Sequence, residues 1–365
     1  MSQPPFVLTT HKNFLKHDTR EIRPSFESYE CPARIAHTLH FLEVETSSLW
    51  QQMKMVTPQP ASLEDIALVH ASVHIAHVAR MQESGIGEVG NSVSASPIIF
   101  DTARLAAGSV IDTSKSVIGG KYNGAMCLVR PPGHHATPYT SEGLCVFNNL
   151  AIAAKVLLKE KRAGKIAIID FDAHYGDGIA SIFYEDPRVL YMSLHEMLFS
   201  QGERGLAEEC GAGEGEGYNI CFPLPFQSTN ECLEGALELF AQITRQFKPD
   251  ILFVAAGFDG HYADPVGNLA FTSKGYYRAA TIIRGIAQEE CQNKVVAALE
   301  GGYNLLSLPW CIAAFLEGLL GCEFSPTWKE FPITPEPKIL ARFEEERAIF
   351  QKEIGKYWDL ELNEP

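Results

Sequence analysis

The stretch IAIIDFDAHYGDG, residues 166–178, decides the fold. It opens as an apolar, β-branched run that reads as a strand buried on both faces, then breaks into Asp170, Asp172, His174 and Asp177. Strands of that kind belong to parallel sheets, and polar groups just past their ends sit where such sheets bind ligands. Asp172 and His174 are two residues apart, so on an extended segment their side chains point to one side. Two other segments have the same form, VRPPGHHA (129–136) and ILFVAAGFDGHYADP (251–265). The second offers Asp259 as a third ligand from another strand end, leaving one coordination position open. Two carboxylates and one imidazole, with no thiolate nearby, suit a borderline cation such as Zn²⁺ acting as a Lewis acid rather than a structural staple. Hydrolysis by activated water is the chemistry this favours.

Around that stretch, AMCLVR, KIAIIDF, RVLYMSL, DILFVAA and KVVAALE read as buried strands. Segments 101–118, 148–161, 229–247, 272–289 and 306–320 carry apolar residues at three- and four-residue spacing and read as helices. The alternation predicts βαβ units in a single three-layer α/β domain over residues 1–365, with a mainly parallel central sheet flanked by helices. The core is expected over about 5–322, with an amphipathic helical tail at about 335–358 packed on it. His134 and His135 follow one strand through RPPG, Asp170 to His174 follow a second, Asp259 a third, and Tyr303 a fourth through EGG. Four strand ends therefore face one cleft. Gly301 and Gly302 let the backbone turn and hold Tyr303 at its mouth as a hydrogen-bond donor.

Composition narrows the function. The formal charge of −15 argues against wrapping a phosphate backbone, although an acidic rim attracts cationic substrates. The nine cysteines are odd in number, form no CxxC pair and lie partly in apolar runs, which suits buried free thiols in a reducing compartment. The first residues, MSQPPFVLTTHKNFLK, lack a secretory apolar region, and no apolar stretch reaches membrane-spanning length. The expectation is a cytoplasmic protein without nucleic-acid or membrane partners; oligomeric state stays open, a homo-oligomer included. GAGEGEG (211–217) has no lysine and carries glutamates that repel phosphate, so it reads as a surface loop.

In order along the chain, CPARI (31–35), LAAG (105–108), RPPGHHA, FNNLAIAA (147–154), DFDAHYGDG, SLH (193–195), AGFDGHYADPVG (256–267) and LEGGYN (299–304) resemble the histone deacetylase family, within the arginase and deacetylase superfamily. LEGGYN and AGFD look closer to its class II side and bacterial relatives. The resemblance implies zinc-dependent hydrolysis of acyl-lysine in proteins or peptides, or of a small acylamine such as an acetylpolyamine. It makes Asp172, His174 and Asp259 the zinc ligands, agreeing with the grouping above. His135 is then the general base and acid, His134 its electrostatic companion, and Asp170 and Asp177 their respective acceptors, with Tyr303 the oxyanion donor. It also implies K⁺ at Asp170, Asp172, His174, Ser193 and Leu194, and a second K⁺ at Phe183, Asp186, Val189 and Tyr218, mostly through carbonyls. Gly143, Leu144, Phe199, Val266, Gly301 and Ser92 are the implied substrate contacts.

Leu144 stands where many members carry an aromatic, so one tunnel wall is softer and longer acyl chains are expected to fit. Val266 occupies a position where polyamine-selective relatives carry an acidic group, which lowers the polyamine reading. Tyr175 and Gly176 after His174 disfavour a binuclear manganese site of the arginase type. A non-catalytic acyl-binding scaffold is the third reading, opposed by the intact His134, His135, Asp177 and Tyr303. His11, His17, His37, His40, His70, His74 and His77 are expected at the surface or as satisfied core residues.

Overall fold

The computed structural model describes residues 5–20, 26–197, 204–325, 329–331 and 333–361. The strands are β1 (Phe6–Thr9), β2 (Met53–Val56), β3 (Glu88–Gly90), β4 (Val93–Ser94), β5 (Gly124–Cys127), β6 (Ile166–Asp170), β7 (Val189–Glu196), β8 (Asn219–Leu224), β9 (Ile251–Ala256) and β10 (Val295–Leu299). Eight of them form one sheet in the order β2-β1-β5-β10-β9-β6-β7-β8, with every pairing parallel. β3 and β4 make a separate antiparallel pair.

Every residue of β5, β6, β9 and β10 is buried, so both faces of the central sheet are covered. Helices Ile99–Ile118 and Asn149–Lys159 pack on each other; Ser273–Glu290 packs on both Asn230–Phe247 and Ser307–Leu320. Each turns an apolar stripe inward. In Asn230–Phe247 the buried positions Leu233, Leu237, Phe240, Thr244 and Phe247 recur at helical spacing. Asn148 starts Asn149–Lys159 by accepting the Ala151 N–H on its side chain. This is the single α/β domain that the alternation predicts, and the helix bounds agree to within a few residues.

Five strands escaped the apolar-run reading: the β3–β4 pair and, in the main sheet, β1, β2 and β8. β2 and β8 are the two edges of the sheet. Helix Pro337–Ile354 lies over β8, with Phe343 and Phe350 against Phe222 at ring-centroid distances of 5.4 and 5.0 Å. Beyond it, Tyr357 packs over Gly217, and Trp358 Nε1 donates to the Gly217 carbonyl at 2.7 Å, so the Gly-rich stretch is a surface loop strapped by the tail. All nine cysteines are free, seven of them buried. Among the described residues no helix is long and apolar enough to cross a membrane.

Candidate active site

β5, β10, β9 and β6 are consecutive in the sheet, and their carboxyl ends carry His134 with His135, Tyr303, Asp259, and Asp172 with His174. Parallel register does the rest, because strands running the same way deliver their following loops to one edge.

The ligand atoms of Asp172, His174 and Asp259 all lie within 4.8 Å of one another. His174 Nδ1 stands 3.0 Å from Asp259 Oδ2 and 3.2 Å from Asp172 Oδ1. The outer lobes of the carboxylates are occupied: Gly301 N–H donates to Asp172 Oδ2 at 2.7 Å and Ala173 N–H to Asp259 Oδ1 at 3.0 Å. A Cβ on Gly301 would lie 2.4 Å from Asp259 Oδ2 and 2.6 Å from Asp172 Oδ2, so only glycine lets the backbone come this close. Both aspartates are buried. Burial opposes charge on each; the imidazoles of His134 and His174 nevertheless hold the Asp172 pKa down, whereas burial and then the Asp172 charge push Asp259 up. The ion-pair partners of these two carboxylates, among the described residues, are imidazoles only. Such a donor set, crowded and short of positive charge, fits a divalent cation of borderline softness.

The two histidines differ in environment. His134 is buried, and burial alone would lower its pKa, yet Asp172 and Asp170 raise it to about 10. Its Nδ1 is 3.2 Å from Asp170 Oδ2, an oxygen that also accepts the Tyr191 hydroxyl at 2.9 Å. His135 moves the other way: burial, then the neighbouring His134 charge, push its pKa down. Its Nδ1 is 2.9 Å from Asp177 Oδ1, and a carboxylate can only accept, so Nδ1 carries the proton and Nε2 keeps a free lone pair. One imidazole is thus held charged and its neighbour, 4.0 Å away between ring centroids, held neutral.

Tyr303 is buried, its phenol kept protonated chiefly by that burial, and Arg34 sits 4.8 Å above its ring. Its N–H and that of Asn304 both donate to Asp264 Oδ2, at 2.7 and 3.0 Å.

His134, His135, Asp172, His174, Asp177 and Tyr303 line one pocket of about 380 Å³ together with Ser92, Gly143, Leu144 and Val266, and Asp259 reaches it through His174. Gly143 has φ +53°, and a Cβ there would meet His135 Cδ2 at 2.5 Å. Leu144 and Ser92 hold φ values of +67° and +57°, a strained arrangement that places Leu144 in the wall, its N–H donating to the Ser92 carbonyl at 3.3 Å. Gly301 serves through its N–H on Asp172 rather than as a wall. Phe199, expected as the opposite wall, lies outside the described residues.

For the first expected potassium site, Asp170 and Ser193 are register partners across β6 and β7, with Leu194 next to Ser193. For the second, the Phe183 carbonyl accepts Asp186 N–H, the Asp186 carbonyl accepts Val189 N–H and the Tyr218 carbonyl accepts Tyr191 N–H. The Asp186 side chain is engaged by Lys155 and Arg188. Of the other histidines, His17, His70 and His74 are buried and hydrogen-bonded.

Five residues had no assigned role in the sequence reading. Glu142, Glu196 and Arg204 line the pocket, and Arg204 donates to Asp177 Oδ2 at 3.1 Å. Asp264 and Glu300 sit behind it, bonded to backbone. The only available signal was position, since both stand within motifs already singled out.

Comparison with known proteins agrees with this fold. A family model described as histone deacetylase domain matches residues 28–319. A probable deacetylase of Archaeoglobus fulgidus is 33% identical over 95% of this chain and 97% of its own length. A histone deacetylase-like amidohydrolase of Pseudomonas aeruginosa is 30% identical, covering 76% of this chain and 73% of its own. Among solved structures, the HD domain of HDA15 superposes with a TM-score of 0.86 at 26% identity, over 98% of this chain and 96% of that one. The chain belongs to the histone deacetylase family.

Proposed function

We propose that this chain is a zinc-dependent deacylase that hydrolyses the amide of acyl-lysine, carrying acetyl or a related acyl group. One observation carries the reading: a single pocket joins an open three-ligand set, a neutral imidazole of fixed tautomer and a buried protonated phenol. Zinc, when held by Asp172, His174 and Asp259, supplies Lewis acidity toward the acyl carbonyl and the attacking water. His135 Nε2 takes the proton from that water, and Asp177 stabilises the imidazolium that results. The same Nε2 returns the proton to the lysine nitrogen as the C–N bond breaks, so the imidazole ends as it began. His134, held charged by Asp170, favours the negative charge that gathers at the reacting carbon's oxygen. From the other side Tyr303 donates its hydroxyl to that oxygen. K⁺ at Asp170, Asp172, His174, Ser193 and Leu194 would brace the β6 end, supported by the Asp170–Ser193 register, and a second at Phe183, Asp186, Val189 and Tyr218 is supported by the run of turn carbonyls there. The nine free thiols support a reducing compartment such as the cytoplasm.

A small acylated amine is the second reading, favoured by the Glu142 and Glu196 carboxylates in the pocket wall and opposed by Arg204. The test is metal content plus hydrolysis of a panel: acetyl-lysine peptides, longer acyl-lysines, trifluoroacetyl-lysine and acetylated polyamines, with Tyr303→Phe and His135→Ala beside the wild type. The expected result is one zinc per chain and turnover reduced about 10²–10³-fold in Tyr303→Phe, the loss typical of one oxyanion donor. Absence of zinc, or turnover indifferent to both changes, would overturn the reading.

A further inference from the structure

Behind the reacting groups two carboxylates, Glu300 buried and Asp264 half-buried, do the same thing in different places. Glu300, fully buried at the end of β10, accepts Gly133 N–H at 2.6 Å and His134 N–H at 3.0 Å on one oxygen, Oε2. Asp264, in the loop after β9, accepts Tyr303 N–H at 2.7 Å and Asn304 N–H at 3.0 Å, also on one oxygen, Oδ2. Each carboxylate thus grips two successive amides of a loop from a neighbouring strand. In each case that loop carries a reacting side chain: the histidine pair after β5, the phenol after β10. The partners are 166 and 39 residues apart in sequence, so neither grip belongs to a local turn or helix cap. The metal-site carboxylates grip in the same way, Asp172 on Gly301 N–H and Asp259 on Ala173 N–H. The loops at the sheet edge are therefore cross-braced, carboxylate to amide, from one strand end to the next.

From this geometry we infer that Asp264 and Glu300 are positioning residues for the proposed deacylation, Asp264 acting through Tyr303 and Glu300 through His134 and His135. The physical case rests on the directness of the grip. Two N–H bonds converging on one carboxylate oxygen set both the position and the orientation of a peptide plane, and leaving both donors without an acceptor would cost the desolvation of each. Asp264 holds the N–H side of the Gly302–Tyr303 peptide plane, while Arg34 Nε donates to its carbonyl side at Gly302 at 2.6 Å, and Gly302 at φ +112° holds a conformation in which a side chain would be strained. Without Asp264 that plane would keep only the Arg34 bond on its carbonyl, and the phenol its packing under the same guanidinium. On the other side, Gly133 is pressed against Phe147 and Asn149 while its N–H and that of His134 are held by Glu300, and the His134 carbonyl accepts Ile179 N–H at 3.0 Å. Glu300 Oε1 is buried and has no hydrogen-bond partner among the described residues, which leaves Oε2 as the working oxygen. Displacing a reacting group by about 1 Å costs on the order of 10²-fold in rate, so braces of this kind matter as much as the groups they hold.

The inference rests on the deacylase reading, and its test separates the two. In the zinc-loaded full chain, Asp264→Ala and Glu300→Ala are each expected to lower kcat about 10²-fold with KM changed little. Asp264→Asn and Glu300→Gln keep an accepting oxygen and are expected to stay within about 5-fold of wild type. In the Tyr303→Phe background Asp264→Ala should cause almost no further loss, because the group it positions is already gone, whereas Glu300→Ala should still lower kcat. Amide hydrogen exchange, independent of turnover, should speed up at 303–304 in Asp264→Ala and at 133–134 in Glu300→Ala, and remain unchanged along β9. If wild type hydrolyses no acyl-lysine, the functional reading fails, and exchange still decides whether the braces exist. Unaltered exchange, amide variants as slow as the alanine ones, or losses from Asp264→Ala and Tyr303→Phe that multiply would each overturn the assignment.

Discussion

Two clusters of buried charge lie on either side of the β10 end, and they are built on opposite plans. In one, Glu30 is clasped by two fully buried arginines. Arg130 donates from Nε to Oε1 at 2.5 Å and from Nη2 to Oε2 at 2.8 Å, and Arg34 reaches Oε1 at 3.1 Å. The spare guanidinium donors end on carbonyls of Phe14, Gly302 and Glu300. In the other, Asp172 and Asp259 crowd around His174 with no guanidinium or ammonium paired to either among the described residues. The first cluster is closed: burial would raise the Glu30 pKa, yet Arg130 and Arg34 hold it down at about 2. The second is short of positive charge, and its two carboxylates are driven apart in acidity. A buried anion that exists for architecture comes with its cation in the chain; one that exists to bind leaves that place for a ligand.

Altering each cluster should expose that contrast. The largest effect is expected at the open one: Asp259→Asn removes half of its negative charge, and zinc recovered with the protein, measured by elemental analysis, should fall from about one per chain to about none, with turnover lost. The fold should persist, since the chain already tolerates that site without compensation; a collapsed circular dichroism spectrum would break the comparison. At the closed cluster the expectation is reversed. Arg130→Met leaves Glu30 with one partner fewer and should cost about 3–5 kcal/mol of stability in denaturant unfolding, because breaking a buried pair strands a charge. Zinc content should be untouched.

The pH dependence of the closed cluster has a definite sign. Glu30 is held below its ordinary value of 4.5, so its contribution is fully present above about 4.5 and is lost as pH falls toward about 2. Glu30→Gln should flatten the stability curve in that window relative to wild type; an identical slope would show that Glu30 does not carry it. The smallest effect concerns neither cluster but the pocket wall. Leu144→Phe should shift the profile toward acetyl and away from longer acyl groups by on the order of 10-fold. A wild type more selective for acetyl than that variant would refute the softer-wall reading.

What was legible in the sequence follows from what leaves a local trace. β5, β6, β7, β9 and β10 are continuous apolar runs because they are covered on both faces, and the polar residues just beyond four of them stand out by contrast. Among the missed strands of the sheet, β1 is buried throughout but offers an apolar run of only Phe6 to Leu8, whereas β2 and β8 lack that trace. β2 is MKMV with Lys54 exposed, and β8 contains Asn219 and Pro223, a proline tolerated because β8 lies at an edge. Asp172, His174 and Asp259 were readable as a set because spacing and strand ends constrain them. Asp264 and Glu300 were not, since an oxygen that grips amides on another loop leaves no pattern at either position. Glu196, at the end of β7, and Arg204, in the segment after it, were invisible for the same reason: only the fold brings them to the pocket.

The two edges of the sheet carry a consequence for how copies of this chain meet one another. An exposed parallel edge is a template on which a second molecule can add a strand. Here one end is shut by Pro337–Ile354 lying across β8, and the other is blunted by a four-residue β2 with an exposed lysine at its centre. Trimming the chain before Pro337 would uncover Phe222 on the edge strand, and self-association through β8 is expected to rise relative to the untrimmed chain. Helix Pro337–Ile354 is in this sense a guard against aggregation, set one strand away from the β7 end that reaches the pocket.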